Sequence, residues 1–363
     1  MLTGVTCLQH AGPADGWALT QYVAHRQAFG SCEGTRLARG MLRRTGFASK
    51  LELRVKWRVG GPHLRRPCCP IPCQPGKIDA MKLVRFGPRG REKPGIIDTK
   101  GRIRDLSSIV PDLAGDALSP KSLAKIRKQP IDKLPLVAGH PRLGACVGQV
   151  GNFIAIGLNY SDHAAETGSA VPKEPIIFNK APSCVCGPND DTIIPKASSK
   201  LDWEVELGIV IGQRAHYLSK DKALDVVAGY CLANEVSERV FQIEREGQWT
   251  KGKSSETFGP LGPWLVTKDE FKDPQNLARW LDVNGEKRQR GNTRTMIFDC
   301  RHIVWCCSQY FVMEPGDVII TGTPPGVGLG MKPQPKFLKA GDVVTLGIDG
   351  LGEQRQKVVK FKT

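Results

Sequence analysis

The stretch "LDWEVELGIVIG", residues 201–212, has the pattern of a β-strand that carries two acidic side chains where a core is expected. Its second half is aliphatic, but Glu204 and Glu206 stand two residues apart near its start. Side chains two apart on a strand point the same way, roughly 6.5–7 Å apart. Two carboxylates held so close in a partly buried site are costly unless a cation or a cationic side chain joins them. The pair therefore indicates a cation site, and the alternative is a solvent-facing acidic edge.

The residue types indicate which cation would suit the site. Carboxylate oxygens are hard ligands, suited to Mg²⁺, Mn²⁺ or Ca²⁺. Another carboxylate, Glu235, lies between a strand predicted over 226–233 and a helix predicted over 237–246. Side chains at the end of a sheet commonly meet a ligand, so the position of Glu235 favours the cation site.

Two other segments carry candidate chemistry. "GLNYSDHAAETG", residues 157–168, places His163 and Glu166 three apart, on one face of a helical turn. Beside a metal such a pair is suited to general-base catalysis, because the carboxylate orients the imidazole and raises its basicity; taken alone, His163 is more typical of a surface histidine. In "ITGTPPGVG", residues 320–328, backbone N–H groups and Thr323 are suited to hold a carboxylate or phosphate, or they form a plain tight turn.

The charge distribution argues against nucleic acid and membrane as partners. The net charge is +16, which by itself suggests an anionic partner. However, residues 1–80 hold 12 Lys+Arg and 4 Asp+Glu, so half of the excess lies in this leader. The remainder has no basic block with interleaved aromatic residues. The sequence also contains no run of about 18 apolar residues, which a membrane span would need.

The twelve cysteines do not indicate secreted disulfides, because the chain is long and opens with no recognisable signal peptide. "CCPIPC", residues 68–73, resembles half of a zinc knuckle but lacks a second ligand pair at a usual spacing. We expect the later cysteines to be buried or incidental thiols in a reducing compartment, and the protein to be cytoplasmic. These later positions include Cys184, Cys186, Cys306 and Cys307.

The sequence divides into three parts. Residues 1–80 show no sustained periodicity, and a disordered tail, a transit peptide and a stretch foreign to the functional protein remain open interpretations. "MKLVRFG" opens a clean strand at Met81, which we take as the start of the folded unit. Residues 81–148 then form a small N-terminal α/β domain with a helix capped by Ser119, and residues 149–363 form the main domain.

The main domain is rich in strands and poor in helices. Strands and helices do not alternate regularly, which favours an α+β fold around a rolled, mostly antiparallel sheet. The helices are predicted over 219–226, 237–246 and 297–313, the last stopped by Pro315 and Gly316. The strands are predicted over 152–157, 175–179, 201–212, 226–233, 262–266, 279–284, 317–321 and 342–348.

A series of motifs, in order and with matching spacing, resembles the fumarylacetoacetate hydrolase family over about residues 150–360. Residues 81–150 are similar to the small N-terminal region of its bacterial members, and the nearest resemblance is to the branch with 2,4-diketo-3-deoxy-sugar-acid hydrolases and ureidoglycolate lyases. The motifs are "IGLNYSDHAAETG", "PIIFNKAPS", "LDWEVELGIVIG", "VAGYCLANEVSER", "KGKSSETFGPLGPWLVT", "NGEKRQRGNTRTMIF" and "EPGDVIITGTPPGVG".

The resemblance implies a fold of the fumarylacetoacetate hydrolase type with a mixed, mostly antiparallel sheet, and it also implies a site. A Mg²⁺ or Mn²⁺ ion would be held by three carboxylates, His163 and Glu166 would form a base dyad on a short lid, and Lys253 would sit at the reacting centre. Arg239, Gln242 and Thr323 would bind the substrate. Asp202 carries no family role and is interpreted as a surface charge. The metal-ligand positions are Glu204, Glu206 and Glu235.

Three positions depart from the family pattern. The third ligand is usually an aspartate, and Glu235 is longer by one methylene, roughly 1.5 Å. Because Mg²⁺ demands near-ideal octahedral geometry, Glu235 would shift the backbone, bind through water, or favour a more tolerant ion such as Mn²⁺ or Ca²⁺. Glu256 also replaces an aspartate, and "VWCCSQYF", residues 304–311, is unusual for its helix.

The function that the resemblance implies is metal-dependent cleavage of a C–C bond in a β-diketo acid, giving pyruvate and a hydroxy acid. His163 and Glu166 would activate water, and the cation and Lys253 would stabilise the developing enolate charge. A ureidoglycolate lyase, an oxaloacetate-type decarboxylase and a catalytically impaired acid-binding homologue are the alternatives. The resemblance also implies a homodimer and a small keto or diketo acid as the substrate.

Overall fold

The structure is a computed structural model that describes residues 81–162, 166, 170–271 and 273–362. The predictions for residues 1–80 therefore lie outside the described residues. All described residues belong to one compact unit of the chain. Among its helices, none is long and apolar enough to cross a membrane.

The described residues form eighteen strands, most of them short. In chain order they are β1 Lys82–Phe86, β2 Lys93–Ile97, β3 Ile103–Asp105, β4 Phe153–Gly157, β5 Ile176–Lys180, β6 Val185–Cys186, β7 Thr192–Ile194, β8 Leu201–Asp202, β9 Val205–Ile211, β10 Val227–Asn234, β11 Ser237–Glu238, β12 Gly259–Pro260, β13 Leu265–Thr267, β14 Ala278–Val283, β15 Glu286–Asn292, β16 Val318–Ile320, β17 Val343–Ile348 and β18 Gly352–Lys360.

Two large sheets account for most of these strands. The first has nine strands in the order β3-β2-β1-β13-β10-β9-β16-β4-β5, and the second has five in the order β15-β14-β17-β18-β7. Each contains one parallel pair, β16–β4 and β18–β7 respectively, and its other pairs are antiparallel. The second sheet packs against β9 and β10 of the first. The α+β, mostly antiparallel fold is therefore confirmed.

The central strands β9 and β10 are buried along their whole length, as their aliphatic runs predict. The single strand predicted over 201–212 is wrong in its continuity, because the ladder breaks at Trp203 and Glu204. At this break the Glu204 N–H donates to the side-chain oxygen of Asn234, and the Glu204 carbonyl accepts from the Glu235 N–H. The interruption thus ties the start of β9 to the end of β10.

Four α-helices are fully described: α1 Pro120–Arg127, α2 Arg239–Ile243, α3 Trp249–Lys253 and α4 Cys300–Tyr310. The Ser119 side chain caps α1 by accepting from the Ser122 N–H, as predicted. The other predicted helices differ from the observed ones in type or in length. The 219–226 segment is a 3₁₀ helix over Lys220–Val226, and α2 covers five residues.

Helix α4 stops at Tyr310, well before Pro315 and Gly316, because Phe311 is already extended. Its end is therefore set by the chain turning towards β16 and not by the proline. Strands β1 to β3 join the nine-stranded sheet through the β1–β13 pair. The predicted N-terminal domain, residues 81–148, and the predicted main domain, residues 149–363, thus share one sheet. The boundary at residue 148 stays a prediction.

Candidate active site

Three buried carboxylates meet where β9 and β10 lie side by side. Glu204 precedes β9, Glu206 lies within it opposite Ala233, and Glu235 follows the last residue of β10. Each offers one carboxylate oxygen, and these three atoms lie within 4.8 Å of one another. The sheet register therefore brings together the three predicted metal-ligand positions.

Cationic side chains compensate this negative charge. The Lys253 Nζ donates to Glu204 Oε2 at 2.9 Å and to Glu235 Oε2 at 3.0 Å. The Lys180 Nζ lies 3.6 Å from Glu235 Oε1 and donates to the Lys253 carbonyl. Lys180 is not among the site residues predicted from the sequence, although the motif "PIIFNKAPS" contains it. Its signal would have been a lysine ending an otherwise apolar strand.

The pKa values of the three carboxyls shift in different directions. Burial opposes ionisation of Glu204, but Lys253 and Arg239 lie so close that they lower the pKa of its carboxyl. Burial and the neighbouring charges of Glu235 and Glu204 raise the pKa of Glu206 well above its usual value. Burial also raises the pKa of Glu235, despite the two lysines beside it. In the absence of a metal, Glu206 is therefore the carboxyl that most favours a proton.

The prediction that Asp202 is a surface charge is wrong, because its side chain is fully buried. Its Oδ2 accepts from Arg239 at 2.8 Å, and its Oδ1 accepts from the Gly328 N–H at 2.7 Å. The Arg239 Nη2 also donates to Glu204 Oε1 at 2.6 Å, and its Nη1 donates to Gln242 Oε1 at 2.9 Å. The partners of Asp202 come from segments distant in sequence, so its local pattern could not predict its burial.

The turn after β16 closes another side of the site. The Gly322 N–H donates to Glu206 Oε2 at 2.7 Å. The Thr323 hydroxyl donates to the Val205 carbonyl at 3.0 Å and accepts from Gln289 Nε2 at 2.8 Å. Thr323 borders the cavity, but its proton is already engaged, and its role in binding the substrate carboxylate stays a prediction.

The predicted base dyad is described only in part, because His163 lies outside the described residues. Glu166 is helical, and its carboxylate accepts from the Gly326 N–H at 3.0 and 3.2 Å. Gly326 has φ 102°, and a Cβ there would lie 2.1 Å from the Arg288 carbonyl oxygen. Only glycine fits this position, so the turn that meets Glu166 depends on it.

A cavity of about 220 Å³ lies above the carboxylates. Its polar floor includes the three glutamates, Arg239, Gln242, Lys253 and Thr323. Its walls are apolar, and Phe178 and Trp249 meet there edge to face with ring centroids 5.2 Å apart. This combination can hold a small molecule with an oxygen-rich head and a less polar tail.

The positions that depart from the family pattern lie in different structural surroundings. The longer Glu235 is accommodated within the carboxylate cluster, since its Oε2 reaches Lys253. Glu256 is exposed, pairs with Arg89 at 3.3 Å, and does not line the cavity. Cys306 and Cys307 are buried and free, as are Cys184 and Cys186, in agreement with the interpretation as buried thiols.

The α+β fold thus carries a cavity with a buried acidic floor, which is the kind of site that an enzyme for a small polar molecule has. The family model described as fumarylacetoacetate (FAA) hydrolase C-terminal matches residues 152–359. The chain belongs to the fumarylacetoacetate hydrolase family. Members of this family are enzymes, typically metal-dependent, so a hydrolase- or isomerase-type function follows for this chain.

Three relatives illustrate the similarity. A Burkholderia ambifaria protein that carries only a general hydrolase name is 63% identical over 276 residues, which cover 76% of this chain and 98% of the relative. The fumarylacetoacetate hydrolase of Exiguobacterium antarcticum is 36% identical with a TM-score of 0.65, over 77% of this chain and all of that one. The 5-carboxymethyl-2-hydroxymuconate delta-isomerase of Mycobacterium smegmatis is 29% identical with a TM-score of 0.61, over 78% and 100% of the two chains.

The raised pKa of Glu206 predicts how pH affects the metal-free protein. A carboxyl whose pKa is higher in the folded state binds protons more tightly there, so stability falls as pH rises above about 4.5. Glu206→Gln should remove this decline, because glutamine stays neutral and keeps an acceptor for the Gly322 N–H. At pH 7 in chelator, the variant should therefore be more stable than the parent.

Urea unfolding of both proteins from pH 4 to pH 8, with EDTA present, measures this effect. Glu353→Gln serves as a control, since Glu353 is an exposed carboxyl on β18. Parallel stability curves for the parent and Glu206→Gln would contradict the prediction.

Proposed function

We propose that the chain is a metal-dependent hydrolase that cleaves a C–C bond in a β-diketo acid, of the 2,4-diketo-3-deoxy sugar-acid type, to pyruvate and a hydroxy acid. The observation that carries this proposal is the buried cluster of Glu204, Glu206 and Glu235 at the floor of the cavity, in which Lys253 bridges Glu204 and Glu235. A buried group of three carboxylates with one shared ammonium suits a reaction in which negative charge develops on substrate oxygens.

The donor set fits a hard divalent cation. All three residues offer carboxylate oxygens, and Glu235 Oε1 is buried without a hydrogen-bond partner. When all four buried acids, Asp202 included, are ionised, they exceed the three cations Lys180, Lys253 and Arg239 by one charge. Glu204, Glu206 and Glu235 would hold Mg²⁺ or Mn²⁺, which when bound supplies positive charge to the carboxylate and keto oxygens of the substrate.

The side chains of the protein carry the proton transfers and the positioning. His163, oriented by Glu166, takes a proton from water, whose oxygen bonds to the distal carbonyl carbon of the substrate. The C–C bond then breaks, its electron pair goes to the keto-acid fragment, and a proton completes pyruvate. The ammonium of Lys253 stabilises the charge on that fragment, while Arg239, Gln242 and Thr323 bind the polar end of the substrate.

The apolar walls bear on the tail of the substrate. Leu158, Ile243 and Leu329 join Phe178 and Trp249 around the cavity. Hydroxyl groups placed against such walls would lose hydrogen bonds to water. The walls therefore favour an alkyl or aryl tail over a polyhydroxylated one as a second candidate substrate within the same reaction.

The experiment that tests this function is a panel of diketo acids with matched heads and different tails, assayed for pyruvate release with Mg²⁺ or Mn²⁺. We expect metal-dependent release of pyruvate together with a hydroxy or carboxylic acid. Release of carbon dioxide together with pyruvate from oxaloacetate supports the decarboxylase, and release of glyoxylate from ureidoglycolate supports the lyase. No turnover of any member contradicts the proposal.

Calorimetric titration with Mg²⁺ and Mn²⁺ separates an active enzyme from an impaired homologue. We expect the parent protein to bind metal, because Glu235 already reaches the cluster. Glu235→Asp is the matched variant and restores the shorter side chain. Metal binding that is gained only in Glu235→Asp would favour an acid-binding homologue without turnover.

The homodimer also belongs to this proposal. Strand β5 is an edge of the nine-stranded sheet and exposes Ile176, and Tyr310 is exposed near it. An exposed strand edge with apolar neighbours is suited to cover by a second copy. Light scattering behind size exclusion measures the mass, and a monomer would contradict this part.

A further inference from the structure

The buried carboxylate of Asp202 is saturated with donors from two separate parts of the chain. Its Oδ1 accepts from the N–H groups of Trp203 and Gly328, at 2.8 and 2.7 Å. Its Oδ2 accepts from the Leu329 N–H at 3.0 Å and from Arg239 Nε at 2.8 Å, and the Arg239 Nη2 forms an ion pair with it at 2.8 Å. A buried carboxylate with this many charge-assisted bonds holds its partners in fixed positions.

One set of these bonds leads to the floor of the cavity. Arg239 lines the cavity and donates to Glu204 at 2.6 Å and to Gln242 at 2.9 Å. A guanidinium presents its donors in a rigid fork, so contact with Asp202 along one edge determines where the remaining N–H groups point. Asp202 thereby sets the position of a cationic side chain that lines the cavity.

The other set leads to the loop Gly326–Gly330. Val327 and Leu329 of this loop line the cavity, and the Gly326 N–H donates to the carboxylate of Glu166. The Trp203 Nε1 donates to the Gly326 carbonyl at 3.0 Å, which adds a second tie from the residue beside Asp202. Asp202 thus anchors the loop that contacts the carboxylate of Glu166.

We infer that Asp202 is a positioning residue that holds the Arg239 guanidinium and the Gly326–Gly330 loop in a fixed relation across the cavity. The inference rests on the proposed function for its kinetic consequence, since Arg239 binds the polar end of the substrate there. Its structural consequence, the coupling between Arg239 and the loop, is independent of which substrate the enzyme uses.

The kinetic test is a double-mutant cycle with Asp202→Asn, Arg239→Met and the double variant, on the diketo acid that gives the fastest pyruvate release. Asp202→Asn keeps the size of the side chain but brings an NH₂ group against donors, so KM should rise about 10- to 100-fold. Because Asp202 affects KM through Arg239, Asp202→Asn should raise KM by less than about 2-fold when it is added to Arg239→Met. Losses that multiply across the cycle would overturn the inference.

Asp98→Asn is the matched control for the kinetic test. Asp98 is also buried, and it accepts from Arg102, from Arg104 and from two backbone N–H groups, but none of these groups lines the cavity. It should lower the urea midpoint by an amount similar to Asp202→Asn while leaving KM within about 2-fold. An equal KM increase in the control would mean that Asp202 acts only through general stability.

Hydrogen exchange tests the coupling without any substrate, and it remains available if Asp202→Asn does not fold. Arg239→Lys keeps the positive charge but cannot contact Asp202 and Glu204 with one rigid fork. The amides of Gly328 and Leu329 should then exchange at least about 10-fold faster than in the parent. Unchanged exchange in Arg239→Lys would overturn the inference. Faster exchange in this variant, together with no turnover of any diketo acid by the parent protein, would refute the proposed function alone.

Discussion

Lys253→Met should abolish most of the proposed pyruvate-releasing activity and strongly destabilise the metal-free protein. Lys253 is buried and donates to both Glu204 and Glu235, so its loss leaves two carboxylates without their shared cation. Removing one partner from a buried ionic group costs about 3–5 kcal/mol. Losing a donor aimed at developing charge should lower kcat by about 10²–10³-fold. Urea unfolding in chelator and steady-state kinetics with metal measure the two effects.

The matched control is Lys200→Met. Lys200 pairs with Glu244 at an exposed position, where the loss of an ion pair changes stability by less than about 1 kcal/mol. Mg²⁺ or Mn²⁺ should restore part of the stability of Lys253→Met, because a cation again joins the carboxylates. Full activity in the variant would remove Lys253 from the reacting centre.

Arg279→Met should stabilise the protein, in contrast to most substitutions in a core. Arg279 is almost fully buried, and among the described residues no carboxylate pairs with it. Its Nη1 donates to the carbonyls of Val205 and Gly322 at 3.2 Å each, while Nε and Nη2 have no hydrogen-bond partner. Replacing an uncompensated buried charge by an apolar side chain of similar volume should raise the free energy of unfolding by on the order of 2 kcal/mol.

The pH dependence gives this prediction a second readout. Burial lowers the pKa of Arg279 to about 9, so the unfolded chain binds the proton more tightly than the folded protein does. The parent should therefore gain stability as pH rises above about 9, and the advantage of Arg279→Met should shrink there. Arg279→Lys keeps a buried charge and should show no stabilisation. A destabilised Arg279→Met would mean that the two carbonyl contacts and the stacking on Tyr160, at 4.2 Å, outweigh the desolvation.

Local patterns were sufficient for the main strands and the capped helix α1, because alternation and capping depend on neighbours in sequence. They failed at Trp203 and Glu204, where a side-chain oxygen of Asn234 replaces the ladder partner of a strand residue. They also extended α4 past Tyr310, because the sequence up to Pro315 contains no strong helix breaker. At Glu204 a contact with a distant segment thus changed the local preference.

The arrangement of the second sheet around the site was not predictable from the sequence. Gln289 on β15 donates to Thr323 and accepts from the Val205 N–H, so a strand from the second sheet supports the turn after β16. Arg279 on β14 meets the same turn from inside the core. In a linear pattern both residues look like the polar positions of exposed strands.

The order and spacing of the sequence motifs by themselves determined the family, and the strand period placed Glu204 and Glu206 on one face. The set of three carboxylates followed only from the resemblance to that family. Only the tertiary structure decided that Asp202 and Arg279 are buried and that Lys180 faces Glu235. The free energy of a buried charge depends on which partners surround it, and here those partners lie tens of residues or more away in the chain.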